Sequence, residues 1–301
     1  MCKVCVAIFV LLSAYGLYRS YESYCELKGE SLKNAVSFTW KHLKKLITGY
    51  WWAVVPFAVL GMATGMRSFA TVYGTGGKSL VYLIVDILGL GGRVDMNHMF
   101  NVTCWYIALA VGLYLLFPIF YHLIRKNTIL FCGVTLVLCF RPFGDIILTS
   151  KIWILPFALG LVFAKYNLFE KVMNQTPKVA TQIGIVLLLI GLALLRRRYG
   201  VNVDGFFAIG IICFMLFVTS KLPIVATIFD FIGKHSANIF MTHTFFFSYY
   251  WSRYIYSPKY PILIFALLLS VCLVYSILLE KIKVIVKSCI NKRKQQNLIS
   301  T

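Results

Sequence analysis

Apolar residues run along this chain in long unbroken stretches, and polar residues are gathered into short segments between them. Residues 262–279 form one such stretch, and comparable ones recur along the whole length. A bilayer-spanning helix needs about 20 predominantly apolar residues, so these stretches read as membrane spans. No strand-like alternation punctuated by turn residues is present. In hydrocarbon the backbone must satisfy its own hydrogen bonds, which leaves an all-α polytopic transmembrane bundle as the fold class. The pattern predicts spans at residues 4–18, 48–65, 103–121, 129–140, 152–164, 180–195, 206–218, 237–251 and 262–279. Residues 79–92 carry Asp86 and end in Gly91-Gly92, so this segment either spans or enters the membrane and returns.

Basic residues decide between those two readings, because Lys and Arg concentrate in cytoplasmic loops. If residues 79–92 turn back, 19 of the 30 Lys and Arg lie inside and 11 outside. If they span, the split is 14 inside and 16 outside. The first arrangement is therefore expected: nine spans, one re-entrant segment, an outside N-terminus and a cytoplasmic C-terminus. Arg196-Arg197-Arg198 then falls outside, where it would meet anionic glycan or lipid headgroups. Residues 1–284 read as one membrane domain, and residues 285–301 as a basic cytoplasmic tail. The apolar stretch begins almost at Met1, as though an earlier span were absent.

Composition supports this class, with 60% hydrophobic and 13% charged residues and a mean hydropathy of +0.80, outside the range of soluble domains. The net charge of +20 is explained by topology and by contact with anionic headgroups of the lipid bilayer. It calls for no nucleic-acid partner, since no nucleic-acid module is present. The nine cysteines are scattered and mostly lie within apolar runs. Cys2 and Cys5 have C-x-x-C spacing without a strand-turn-helix context, so neither a metal site nor a disulfide framework is expected. Gly74-Thr75-Gly76-Gly77-Lys78 lacks the full spacing and the strand-to-helix setting of a phosphate loop.

Candidate chemistry gathers in Gly233-Lys234-His235-Ser236-Ala237-Asn238-Ile239-Phe240-Met241-Thr242-His243. Imidazole and amide groups are costly at membrane depth and usually line a polar cavity. On a helix Ser236, Ile239, Phe240 and His243 share one face, with Asn238 on another flank. The bland alternative is that His243 only hydrogen-bonds a neighbouring helix.

Four stretches resemble the acyltransferase-3 family of integral-membrane acyltransferases, in the family's order. Residues 7–17 resemble its second helix. Residues 38–51, with Lys41, Lys44 and Lys45, are similar to the Arg-rich cytoplasmic start of its next helix. Trp105 followed by Tyr114-Leu115-Leu116-Phe117-Pro118 resembles its Trp…Phe-Tyr-Leu-Leu-aromatic-Pro block. Gly233-Lys234…Ser236…Ile239-Phe240…His243 resembles its late Gly-Lys-x-Ser-x-x-Ile-aromatic-x-x-His motif. The resemblance implies about ten helices, with His243, Asn238 and Ser236 catalytic. It implies Lys41, Lys44 and Lys45 at the acyl-donor phosphates, and Trp105 and Tyr114 lining the cavity.

It further implies acyl-CoA, acetyl-CoA above all, as co-substrate. The acceptor would be a hydroxyl of a cell-surface glycan or lipid-linked sugar, and the location a cytoplasmic membrane. The chain also departs from the family. The family's first helix pairs a basic residue with a histidine eleven positions on, and none of the five histidines here has Lys or Arg at that offset. Lysines stand where arginines are usual, and Ala110 or Val111 occupies the place of an acidic residue. Two alternatives to an active acyltransferase are an inactive or truncated relative with a binding or assembly role, and a glycan polymerase or flippase. The last predicts large external loops or arginines inside spans, which the sequence does not show.

Overall fold

The computed structural model describes residues 4–140, 151–174 and 179–299, and Cys2 lies outside them. The described residues are helical, with no strand among them. In chain order the helices are α1 (Val4–Lys28), α2 (Leu32–Thr64), α3 (Phe69–Tyr73), α4 (Ser79–Ile87), α5 (Gly91–Val94), α6 (Trp105–Lys126) and α7 (Thr128–Phe140). They continue with α8 (Ile154–Lys165), α9 (Leu168–Asn174), α10 (Val179–Tyr199), α11 (Asp204–Lys221) and α12 (Pro223–Thr244). A π-helical turn (Phe245–Tyr250) follows, then α13 (Ser252–Ile255) and α14 (Pro261–Ile299).

The segments Val4–Lys28, Leu32–Thr64, Val102–Lys126, Gln182–Lys221 and Pro261–Lys292 are long and apolar enough to cross a membrane. Thr128–Cys139 and Ile154–Lys165 are shorter apolar helices. This is a multi-pass membrane protein. Every expected span coincides with a helix, though several helices reach further than their apolar stretch. α2 starts at Leu32, so the basic residues 41–45 lie within it. The stretch holds no helix breaker, and the Ser31 hydroxyl accepts from the Asn34 N–H at 3.2 Å, as an N-cap does. In the ambiguous segment 79–92, α4 is nine residues and about 14 Å long, and it ends before the short α5 begins at Gly91. That length is half of what a hydrocarbon core of about 30 Å requires.

The chain divides into two compact units, residues 1–46 with 106–227 and residues 47–105 with 228–301. In the first, α1 packs on α8 and α11, and α10 packs on α11. Small residues permit the α1–α8 approach: Ala7 and Ala14 are fully buried, and a Cβ on Gly160 would fall 2.3 Å from the Leu11 carbonyl oxygen. This is how helices pack where lipid offers no hydrophobic contrast. Aromatic rings fill the next layer, with Tyr21 against Phe38, Phe117 and Tyr121. Lys165 donates to the Ile124 carbonyl at 2.7 Å and to the Thr128 hydroxyl at 2.8 Å, serving a carbonyl in the last turn of α6.

In the second unit the later part of α2 carries Phe57, whose ring stacks on Phe245 with centroids 4.2 Å apart. Phe57 also meets Phe246, Tyr250 and Tyr275. The Tyr250 hydroxyl donates to the Phe57 carbonyl at 2.9 Å, fixing the π-helical turn on α2.

Candidate functional site

Asp86 organises the second unit. Its carboxylate is almost wholly buried on a helix of mostly apolar residues, where an unpaired charge would cost several kcal/mol. Three groups meet it. The Tyr50 hydroxyl lies 3.1 Å from Oδ1, and the Tyr73 hydroxyl donates to Oδ2 at 2.8 Å. The Phe100 N–H donates to Oδ2 at 2.8 Å. Burial pushes the Asp86 carboxyl above its ordinary range, while the Phe100 N–H, the two phenols and the Arg67 charge pull it back. Trp51 Nε1 donates to the Ile87 carbonyl at 2.7 Å, satisfying the end of α4. A Cβ on Gly92 would fall 2.7 Å from Trp105 Cα, so this turn closes only on glycine.

The segment that Asp86 holds leads directly to α12. Asn101, fully buried, accepts the Thr103 N–H on Oδ1 at 3.0 Å and donates from Nδ2 to the Met241 carbonyl at 2.7 Å. The Thr103 and Thr244 hydroxyls are hydrogen-bonded. The Val102 N–H donates to the Tyr249 hydroxyl at 3.3 Å. Arg67 covers the Tyr249 ring at 3.9 Å and the Phe100 ring at 5.2 Å, and it donates to the Met99 carbonyl at 3.2 Å.

His243 lies between Met241 and Thr244, in the last turn of α12. Nδ1 is 2.7 Å from the Phe240 carbonyl and 3.3 Å from that of Ile239. A carbonyl only accepts, so Nδ1 carries the proton, and Nε2 holds the lone pair of the neutral ring. The imidazole sits by the rings of Phe247 and Phe240, at centroid distances of 5.6 and 5.9 Å. With Nδ1 fixed on a carbonyl, Nε2 is the ring's remaining acceptor.

The other expected catalytic residues are engaged elsewhere. Ser236 is half-buried and donates to the Gly233 carbonyl of its own helix at 2.7 Å. Asn238, buried, donates to the Ser276 hydroxyl at 2.9 Å and to Glu280 Oε1 at 2.8 Å. Lys283 also reaches that oxygen, at 2.7 Å, and His235 Nδ1 is 2.9 Å from the same serine hydroxyl. Asn238 thus joins α12 to α14 on a flank away from the Ser236 face. Lys41, Lys44 and Lys45 are exposed on successive turns of α2, and Lys44 Nζ lies 5.5 Å from the Trp40 ring centre. Trp105 opens α6 with its backbone against Gly92. The Tyr114 hydroxyl pairs with that of Ser13 at 3.1 Å.

Sequence reasoning gave no role to Tyr50, Tyr73, Arg67, Asn101 and Thr103. The signal for the first two was Asp86 itself, since an acid within an apolar helix must find donors. Asn101-Val102-Thr103 has the form of a glycosylation triplet, but the asparagine amide is buried and engaged at both ends.

A family model described as an acyltransferase domain, that of the acyltransferase-3 family, matches residues 1–281. No curated protein and no solved structure matches this chain.

Proposed function

Because the chain belongs to the acyltransferase-3 family of membrane acyltransferases, we propose that it moves an acyl group, acetyl in the first instance, from a cytoplasmic acyl-CoA to a hydroxyl of a cell-surface glycan or lipid-linked sugar, with His243 as the general base. The observation that carries this is the orientation of His243, whose Nδ1–H is held on the Phe240 carbonyl and whose Nε2 is left basic. The reaction needs a group that takes a proton near neutral pH, which is the range of an imidazole. The acceptor oxygen bonds the acyl carbon as its proton passes to Nε2, the carbon–sulfur bond breaks, and the imidazolium returns the proton to the departing thiolate.

Lys41, Lys44 and Lys45 are assigned to the donor's phosphates. Their exposure on adjoining turns of α2 and their charge support this, although lysine offers point charges rather than the bidentate fork of arginine. Trp105 and Tyr114 keep their assignment as cavity aromatics. Asn238 and Ser236 are assigned to the site with His243, Asn238 tying α12 to α14 and Ser236 on the α12 face that carries His243. A cytoplasmic C-terminus fits the distribution of basic residues, and a cytoplasmic-membrane location is what the family resemblance implies.

The test is transfer of radiolabelled acetyl from acetyl-CoA into the glycoconjugates of membranes carrying the full chain. His243→Gln is expected to lower kcat by at least about 100-fold, the contribution of a positioned base, with the protein still folded. Full transfer by that variant would sink the assignment.

A further inference from the structure

We propose that Asn101 and Thr103 are positioning residues that clamp the last turn of α12 and thereby set the orientation and tautomer of His243. The inference rests on the reading of His243 as the base.

The turn needs a clamp because of where it lies. At Phe245 the helix passes from α into π geometry, so the hydrogen-bond ladder shifts from four residues back to five. His243 is oriented by the Phe240 carbonyl within that same turn. A slip of the ladder would move the acceptor away from Nδ1 and free the ring to rotate or exchange its proton. Two external bonds flank His243 in sequence: Asn101 Nδ2 to the Met241 carbonyl at 2.7 Å, and the Thr103 hydroxyl to that of Thr244.

The clamp is itself fixed. The Asp86 carboxylate holds the Phe100 N–H at 2.8 Å, one residue before Asn101. Asn101 is fully buried, and because Oδ1 and Nδ2 are both engaged, its amide cannot flip without losing two bonds. Capping of the short turn at Val102–Cys104 uses only the oxygen. The nitrogen on Met241 exceeds that local role, which makes the two functions separable. Asn101→Ser preserves a capping hydroxyl and is too short to reach Met241. Thr103→Val keeps the shape and removes only the second link.

The experiment is nitrogen NMR of the full chain in lipid bilayers with 15N-labelled histidine, the His243 signal being assigned by its loss in His243→Gln. The native protein should show the Nδ1–H form. Asn101→Ser should mix in the Nε2–H form, and Thr103→Val should do so to a smaller extent. Per mole of folded protein, Asn101→Ser should lower acetyl transfer from acetyl-CoA by about tenfold to a hundredfold, the cost of a misplaced catalytic group. Its pH profile should shift as well, which a loss of folded material alone would not cause. An unchanged His243 tautomer in both variants overturns the clamp. Full transfer by His243→Gln overturns the base assignment instead, and the inference with it.

Discussion

In the unit of residues 1–46 and 106–227, α1 meets α8 through Ala7, Ala14 and Gly160, and polar side chains serve helix ends. Lys165 serves the end of α6, and Asp204, at the first residue of α11, pairs with Arg196, a place where a carboxylate suits the helix dipole. In the unit of residues 47–105 and 228–301, a buried carboxylate, a buried amide and a threonine pair, Thr244 buried and Thr103 half-buried, are linked from Tyr50 and Tyr73 through Asp86 and Phe100 to Asn101 and Thr244. One unit is held by close apolar contact and the other by a satisfied polar chain. Apolar contact tolerates small displacements with gradual loss, whereas a buried polar chain fixes one geometry, since every unmade bond costs a desolvated group. His243 lies between Met241 and Thr244, where the polar chain ends.

The largest expected effect tests that polar chain at its origin. Asp86→Leu leaves the Tyr73 hydroxyl and the Phe100 N–H without their acceptor, at about 1–3 kcal/mol for each buried group, while the Tyr50 hydroxyl keeps the residue-86 carbonyl at 3.0 Å. Detergent-extracted protein should lose its monodisperse elution and melt far below the native chain. Wild-type stability in Asp86→Leu would mean that the carboxylate does not hold this unit, and the contrast between the two units would fail.

A smaller effect probes the apolar contact. Gly160→Ala places a methyl group 2.3 Å from the Leu11 carbonyl oxygen and 2.8 Å from Ala14 Cβ, so α1 and α8 must separate. The expected loss is about 1–3 kcal/mol, the usual cost of overpacking, read as a lowered melting temperature. Gly160→Val should lose more. A neutral Gly160→Ala would show that the α1–α8 contact is looser than its geometry implies.

Much of this architecture was legible in the sequence, and the reason is the bilayer. Backbone satisfaction and apolar length leave few alternatives, so runs such as residues 262–279 translate directly into helices like α14. Helix ends were less legible, because a charged segment continues a helix beyond the hydrocarbon wherever no breaker intervenes. α2 does so through Lys41, Lys44 and Lys45, and α14 through Lys281 and Lys287. Among site residues, the Gly233–His243 motif marked the histidine. The partners of Asn238 were hidden, since Ser276 and Glu280 lie on α14 and only packing brings them close. Asn101 was hidden for a related reason. Its three-residue motif carries no signal of a structural role, and only burial and the bond to Met241 show one.

The smallest predicted effect sharpens the comparison by function. If the exposed lysines of α2 hold the donor's phosphates while His243 carries the proton, the kinetic constants should divide between them. Lys41→Gln and Lys45→Gln each remove a solvent-exposed charge contact, worth about 0.2–1 kcal/mol, so KM for acetyl-CoA should rise up to about fivefold in each while kcat holds. The rise should shrink with added salt, because exposed charges are screened beyond about 10 Å at 0.1 M ionic strength. Lys45→Arg should act in the opposite direction, since a guanidinium grips phosphate with two parallel bonds where an ammonium offers one point of charge. A fall in kcat at constant KM in the glutamine variants would place these lysines in the chemistry rather than in donor binding. The division between a binding face and a catalytic turn would then have to be redrawn.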